Sequence, residues 1–282
     1  MELSSSSKKS RISIVCCSYN LAPFVETSLD SIFNQDESGL KIIFSDGGSN
    51  DATLSLIKKY KDMDVLIGPD GGYLGGFWKA LANVKTKYVT QCAISDGYLN
   101  REWLREACDF LDSNSNISLV WGIPSVLGKD GKTQILGYDF LNNELPSSSY
   151  MYEHWLQTGF HFPEGNLVCR SEVLRNCMPA NSAYQNLITD PFLMFTRNFH
   201  TKGYLSYGLN ILSNYGRIHD NQLTVREELN GKKYLFLENY YNLIEQELDI
   251  IKNKKRLFVT QMAKNYFKRE LRNKFTFIRF TL

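Results

Sequence analysis

The sequence predicts an α/β fold: a mostly parallel open sheet flanked by helices, followed by an appended helical C-terminal segment. Three observations lead there. Residues 11–17 (RISIVCC), 42–45, 65–67 and 88–94 are short, apolar runs of the kind that form buried strands of a parallel sheet. Between them the apolar positions switch to helical spacing. Three of the runs end in an aspartate beside glycine, at Asp46, Asp70 and Asp96. Ligands of open α/β sheets bind beyond the carboxyl ends of the strands, so three acids there describe a crevice suited to a cation or to hydrogen-bond donors on a ligand.

The elements follow in order. Residues 1–10 are rich in Ser and Lys and read as a disordered tail. After the first strand comes Ser18-Tyr19-Asn20, then a helix over 22–34 with Val25, Leu29, Ile32 and Phe33 on one face. The second strand stops at Ser45-Asp46 and breaks into Gly47-Gly48-Ser49, where glycine lets backbone and ligand approach closely. A second helix is predicted over 53–61, since Leu54, Ile57 and Tyr60 recur at helical spacing behind a capping Asn or Asp. Asp46 either points into the crevice or only caps that helix. The third strand ends in Gly68-Pro69-Asp70-Gly71-Gly72, a helical piece covers 77–83, and the fourth strand ends in Ser95-Asp96-Gly97. Residues 117–123 read as a further strand, and 125–152, rich in Gly, Asn and Ser, as a cover over the site.

With 282 residues and 43% hydrophobic content, the chain can bury a sizeable core. Its six cysteines show no paired metal spacing and several sit in apolar runs, which suggests buried thiols in a reducing compartment. No uncharged apolar run approaches membrane-spanning length, so the expected location is cytoplasmic. The net charge of +2 hides an asymmetry: residues 252–282 carry ten Lys or Arg against Glu270 alone, a balance of +9 that leaves −7 for the remainder.

Four stretches, VCCSYN, FSDGGSNDAT, GPDGG and YVTQCAISDGYLNREWL, come in an order that resembles the nucleotide-sugar half of family 2 glycosyltransferases with the GT-A (Rossmann-like) fold. The resemblance is clear to about Leu104. It implies a nucleoside-diphosphate sugar as donor, bound by Cys17, Tyr19, Asp46 and Asp70. It also implies a divalent metal, Mn or Mg, on Asp96. Three departures stand out: Cys17 replaces the usual Thr, Trp78 a usual Asn, and Ser95 the usual acidic neighbour of Asp96. A register shifted by one would put Gly97 at the metal position instead.

The second half extends the resemblance. His161 and Glu164 stand where acceptor hydroxyls would be touched, or are a satisfied His and a surface Glu in a turn. Asp190, before Pro191 and the apolar face Phe192, Leu193, Phe195 and Phe199, matches the family's catalytic base and equally reads as a helix N-cap with Pro in the first turn. Arg217 and His219 resemble a late segment folding over the donor diphosphate, with Arg on phosphate oxygens and His completing the metal site; an exposed loop is the alternative. The division expected is a transferase domain over 11–222, with a nucleotide-sugar half to 105 and an acceptor half beyond, and a basic helical segment over 223–282. In that segment Val259, Met262, Tyr266, Phe267 and Leu271 lie beneath Lys264, Lys268, Arg269, Arg272 and Lys274. Such a helix suits an anionic membrane surface, the domain's own acidic body, or a dimer contact. No nucleic-acid motif accompanies the charge.

The function these features imply is inverting transfer of a sugar to a hydroxyl of a glycan or lipid-linked acceptor, in cell-surface polysaccharide synthesis. A non-catalytic nucleotide-sugar-binding relative remains the alternative, favoured by Ser95 and Trp78. A dinucleotide-dependent oxidoreductase is disfavoured because no G-x-G-x-x-G follows the first strand.

Overall fold

The computed structural model describes residues 10–135, 164–178, 191–220 and 222. His161, Asp190, most of the expected cover and the basic C-terminal segment lie outside them.

Among the described residues, nine strands form one sheet in the order β3-β2-β1-β4-β8-β6-β9-β5, with β7 paired to β6. The first part is the expected parallel layer. β1 (Ile12–Ser18) lies between β2 (Lys41–Asp46) and β4 (Tyr88–Gln91), and β3 (Met63–Ile67) lies beyond β2, all parallel. β1 is buried along its whole length, and this explains its unbroken apolar run. β3 is an edge strand, and there Val65 and Ile67 are exposed.

Beyond β4 the sheet is mixed. β8 (Leu167–Arg170) runs antiparallel to β4 and to β6 (Ile117–Leu127). β9 (Leu205–Arg217) pairs parallel with β6, and β5 (Gly97–Tyr98) antiparallel with β9. The expected irregular stretch from Ser125 begins instead as sheet. β6 continues to Leu127 and turns into β7 (Thr133–Ile135), because Ser125 and Val126 pair on both sides.

Helices cover both faces. α1 (Ala22–Phe33) buries Val25, Leu29 and Ile32, whereas Phe33 is exposed and stacks on Tyr60 at 5.4 Å. The second helix is shorter than its spacing suggests: α2 (Thr53–Leu56) tightens into a 3-10 turn, Ile57–Lys59. α3 (Tyr73–Leu81) begins four residues earlier than expected despite Gly75 and Gly76. A side chain at Gly75 would stand 1.6 Å from the Asp70 carbonyl oxygen, so the glycine that weakens the helix is what lets it start against the loop. α4 (Trp103–Ser113) packs on β6, and α5 (Ser171–Cys177) on α6 (Pro191–Thr201).

Two apolar clusters, one on each face, make the core. One joins α1 and α4 to β1 and β2 through Ile14, Phe44, Trp103 and Leu104; the other joins α3, α5 and α6 through Phe77, Leu174, Phe192 and Phe195. All six cysteines are free and buried, and burial pushes the Cys16 thiol up to about 12.

Two side chains at the ends of elements carry measurable stability. The Arg170 guanidinium donates to the carbonyls of Ile117 at 2.8 Å, Leu111 at 2.8 Å and Asn114 at 3.1 Å, so it closes the C-terminus of α4. Arg170→Met frees all three acceptors and should cost about 2–4 kcal/mol, read as a lower urea midpoint with an unchanged slope. His200, 5% exposed, is driven down to about 3 by burial alone. Its unfolded value lies near 6.5, so the contribution of neutral His200 is complete above that pH and is lost as pH falls toward 3. By pH 5 the loss should reach about 2 kcal/mol, and His200→Leu should flatten that acid limb in pH-dependent urea unfolding.

Candidate active site

The site forms where the parallel strands end. The Gly47 N–H donates to the Ser18 carbonyl at 2.9 Å, that of Gly68 to Asp46 at 3.1 Å, and that of Ile94 to Cys17 at 3.2 Å. The loops after β1, β2, β3 and β4 therefore stand side by side on one rim.

Asp46 is fully buried and its carboxylate faces its own loop. Oδ1 accepts the N–H groups of Gly48 at 2.9 Å and Ser49 at 2.6 Å, and Oδ2 accepts the Ser49 hydroxyl at 2.7 Å. Neither of the sequence's alternatives describes this: the side chain shapes the glycine turn, with Gly48 at φ 91°. The rest of the motif reaches across to the first loop. Ser49 Oγ accepts the Asn20 N–H at 2.8 Å, Thr53 Oγ1 that of Leu21 at 3.0 Å, and Asp51 Oδ2 that of Ala22 at 3.1 Å. Asn20, in the left-handed region at φ 54°, accepts in return, its Oδ1 taking the Asn50 N–H at 2.9 Å. Helix α1 has no cap from its own Leu21, and Pro23 has no N–H, so Asp51 supplies both the acceptor and the negative charge its N-terminus favours. Burial would raise the Asp51 carboxyl, but hydrogen bonds from Thr53 and Ala22 outweigh it and hold it below its usual range.

Tyr19 is half exposed on this rim, while Cys17 is buried one residue inside the strand. Asp70 Oδ1 accepts the Gly72 N–H at 2.9 Å, and the carboxylate lies against Gly47 and Gly76. A side chain at Gly76 would stand 2.6 Å from Asp70 Oδ2, so both glycines make room for that acid.

Asp96 and Arg217 come together from positions 121 residues apart. Asp96 Oδ1 accepts the Arg217 N–H at 3.0 Å and the Ser95 hydroxyl at 3.2 Å, and both bonds fall on the same oxygen. The Arg217 Nε–H donates to the Ser95 carbonyl at 2.9 Å. Burial pushes the Asp96 carboxyl up to about 6, against the opposing pull of the Arg217 N–H, the Ser95 hydroxyl and the Arg217 charge. The residue as a whole keeps part of its surface exposed on the rim. Gly97 does not: a side chain there would meet Tyr215 Oη at 2.6 Å and Ser31 Oγ at 2.7 Å. Of the two registers the sequence left open, only the one using Asp96 puts a carboxylate on the rim.

His219 packs on Phe24 with ring centroids 4.5 Å apart, and its Nδ1 is buried without a hydrogen-bond partner among the described residues. Burial and the Arg217 charge hold the imidazole below its usual value. Glu164 opens a 3-10 turn, Glu164–Asn166, leading into β8. Among the described residues no three His, Cys, Asp or Glu side chains gather to hold a metal ion. Asp96 Oδ2 lies outside both hydrogen bonds and is a carboxylate oxygen of the kind that hard cations take as a ligand.

Sequence reasoning missed Phe24, Ser28 and Ser31. They recur at i, i+4 and i+7 on α1, and the run of buried Val25, Leu29 and Ile32 beside them drew attention away. Ser28 Oγ accepts the Ser95 N–H at 3.2 Å and Ser31 Oγ that of Tyr98 at 3.1 Å, so this polar stripe holds the loop carrying Asp96.

A family model described as "Glycosyl transferase family 2" matches residues 13–177, more than half of the chain. The chain belongs to glycosyl transferase family 2. The match covers the Asp46, Asp70 and Asp96 loops and ends with α5, before Arg217 and His219. A curated relative from Haemophilus influenzae, described as an uncharacterized glycosyltransferase, is 22% identical over 264 residues, covering 85% of this chain and 77% of its own. Among solved structures, Staphylococcus aureus TarS in complex with UDP-GlcNAc superposes with a TM-score of 0.58 at 18% identity, covering 75% of this chain and 60% of that one. The mannosyltransferase PcManGT from Pyrobaculum calidifontis, in complex with GDP-Man and Mn2+, gives 0.54 at 18%, covering 76% and 59%. These likenesses show the glycosyltransferase fold. This family 2 chain spans about three-fifths of the length of those structures.

Proposed function

We propose that this glycosyltransferase is an inverting enzyme. It moves a sugar from a nucleoside-diphosphate donor to a hydroxyl of a glycan or lipid-linked glycan. The observation that carries the reading is the pairing of Asp96 with Arg217 on the strand-end rim, one carboxylate oxygen left outside their hydrogen bonds. Tyr19 and Asp46 would hold the base and ribose of the donor, with Cys17 and Asp70 also on the nucleotide. Arg217 would face the diphosphate. A divalent ion on Asp96, with His219 as a further donor, would supply Lewis-acid neutralisation of the leaving charge. Asp190 would take the acceptor proton, with His161 and Glu164 near the acceptor. Complexes of TarS with UDP-GlcNAc and of PcManGT with GDP-Man and Mn2+ support a nucleotide-sugar donor and a divalent ion.

The transferase domain would end near residue 222. The basic segment beyond it would dock on an anionic membrane from the cytoplasmic side, which suits polysaccharide synthesis. Among the described residues no helix is long and apolar enough to cross a membrane. Liposome sedimentation of the full chain against a chain truncated at Lys252 tests the docking, and equal binding would remove it.

The donor reading is tested by a thermal-shift screen of UDP, GDP and their sugars with and without Mn2+. A nucleoside diphosphate present at about a hundredfold its Kd should add about 2.7 kcal/mol. No shift with any nucleotide, Mn2+ present, would overturn the reading.

A further inference from the structure

We propose that Phe24 is a positioning residue that sets where the Arg217 cation stands. It thereby couples the nucleoside end of the donor site to the diphosphate end. The diphosphate part of this rests on the function proposed above.

The Arg217 guanidinium carbon lies 5.3 Å from the Phe24 ring centre and 5.4 Å from the Tyr215 ring centre. Both distances are within cation–π range, where an aromatic face attracts the charge. His219 leans on the same Phe24 ring. One helix residue thus touches both late groups that the sequence assigned to phosphate and metal.

Among the described residues no carboxylate stands against the Arg217 guanidinium. Its Nε–H goes to the Ser95 carbonyl, and an Nη reaches Tyr215 Oη at a long 3.4 Å. An arginine without an ion pair keeps its charge available to an anion, but its long side chain then needs another way to lose rotamer freedom. The two rings supply it. They orient the cation without neutralising it, which a carboxylate would not do.

Phe24 is itself placed by the first two motifs. It sits in the first turn of α1, and its N–H bonds the Leu21 carbonyl at 2.9 Å. Leu21 and Ala22 are in turn fixed by Thr53 and Asp51 of the second loop. Tyr19 and Asn20 lie at the start of the same short connection. A ligand that settles the Tyr19–Asn20 turn therefore settles the base of the helix that carries Phe24. Further along α1, Ser28 and Ser31 hold the Ser95–Tyr98 loop, so one face of α1 contacts both the Asp96 side and the Arg217 side of the site.

The test uses the full chain with three variants. Phe24→Leu keeps an apolar residue on the helix but removes the ring, Phe24→Tyr keeps the ring, and Arg217→Lys identifies the Arg217 Nε–H signal in the nitrogen-15 spectrum by its loss. In the unliganded protein that Nε–H should exchange slowly and show a ring-current shift. Phe24→Leu should speed its exchange about tenfold or more and abolish the shift, and Phe24→Tyr should restore both. Calorimetry with UDP, UMP, GDP and GMP in Mn2+ gives the second readout. Phe24→Leu should weaken the preferred diphosphate about fivefold relative to its monophosphate, the size of one exposed cation–π contact. Monophosphate affinity should stay within about twofold.

A loss of mono- and diphosphate affinity in equal measure would mean that Phe24 only supports the fold, and would overturn the proposal. So would an unchanged Arg217 signal in Phe24→Leu. A wild-type chain that binds diphosphate no better than monophosphate would instead overturn the assignment of Arg217 to the diphosphate. The exchange of the Nε–H would still decide whether Phe24 positions it.

Discussion

Asp190→Asn is expected to lower kcat about a hundredfold to ten-thousandfold, the usual span for removing a general base, while the donor Kd stays within about twofold. The choice of Asn makes the test specific. Asn caps a helix as well as Asp does, so a role confined to capping would leave both turnover and stability nearly unchanged. Asp190 itself lies outside the described residues, but the helix it precedes is firmly set. Phe192, Phe195 and Phe199 of α6 are each at most 1% exposed, and the Phe192 ring meets Phe77 of α3 edge-on at 5.8 Å. The N-terminal turn of α6 is thus docked on the helix that starts from the Asp70 loop. Inversion needs one base opposite the leaving diphosphate. A wild-type rate for Asp190→Asn with matched donor and acceptor would place that base elsewhere.

Much of the nucleotide half was legible because its signals are local. A strand buried on both faces must be apolar throughout, and RISIVCC could hardly be anything else. The fold class followed from the alternation of such runs with helical spacing, and family membership bears it out. The roles of the motif residues were less legible, since a side chain's partners are not in its own neighbourhood. Asp46, Ser49, Asp51 and Thr53 read as a crevice loop and a helix start, yet their hydrogen bonds largely hold the turn and the foot of α1. A register shifted by one would have put Gly97 at the metal position, whereas a side chain there would run into Tyr215 and Ser31. Both reasons are tertiary and involve residues far off in the chain. The mixed half of the sheet was hidden for a related cause: β6 runs through Gly122 and Pro124, which argue locally against a long strand, and is sustained by its neighbours β8, β7 and β9.

Asp96→Asn should separate what this carboxylate does for chemistry from what it does to stability. Asn can still accept from the Arg217 N–H and the Ser95 hydroxyl, so the loop has no reason to move. The charge is lost, and with it the proposed hold on the metal. Turnover in Mn2+ should fall about a hundredfold or more, in line with the removal of a main electrostatic group at a leaving charge. Stability should move the other way. Folding raises this carboxyl from its ordinary 3.8 to about 6, so the folded state favours its neutral form. The wild-type chain therefore carries no penalty below pH 3.8, and acquires one as pH rises through 6, where the ionised group must be kept in a poorly hydrated place. Two units correspond to about 3 kcal/mol, and the partial exposure of the residue reduces that to about 1–2 kcal/mol. With chelator present, Asp96→Asn should accordingly unfold a few degrees higher than wild type at pH 8, and at the same temperature at pH 4. Mn2+ with a nucleoside diphosphate should close the gap at pH 8 by stabilising the wild type alone, since the cation binds the ionised form. A variant less stable than wild type at pH 8 in chelator would mean that Asp96 is kept for its hydrogen bonds to the β9 end rather than held ready for a cation. A functional carboxylate behaves differently: it is retained against the preference of the fold, and its cost disappears when its ligand arrives.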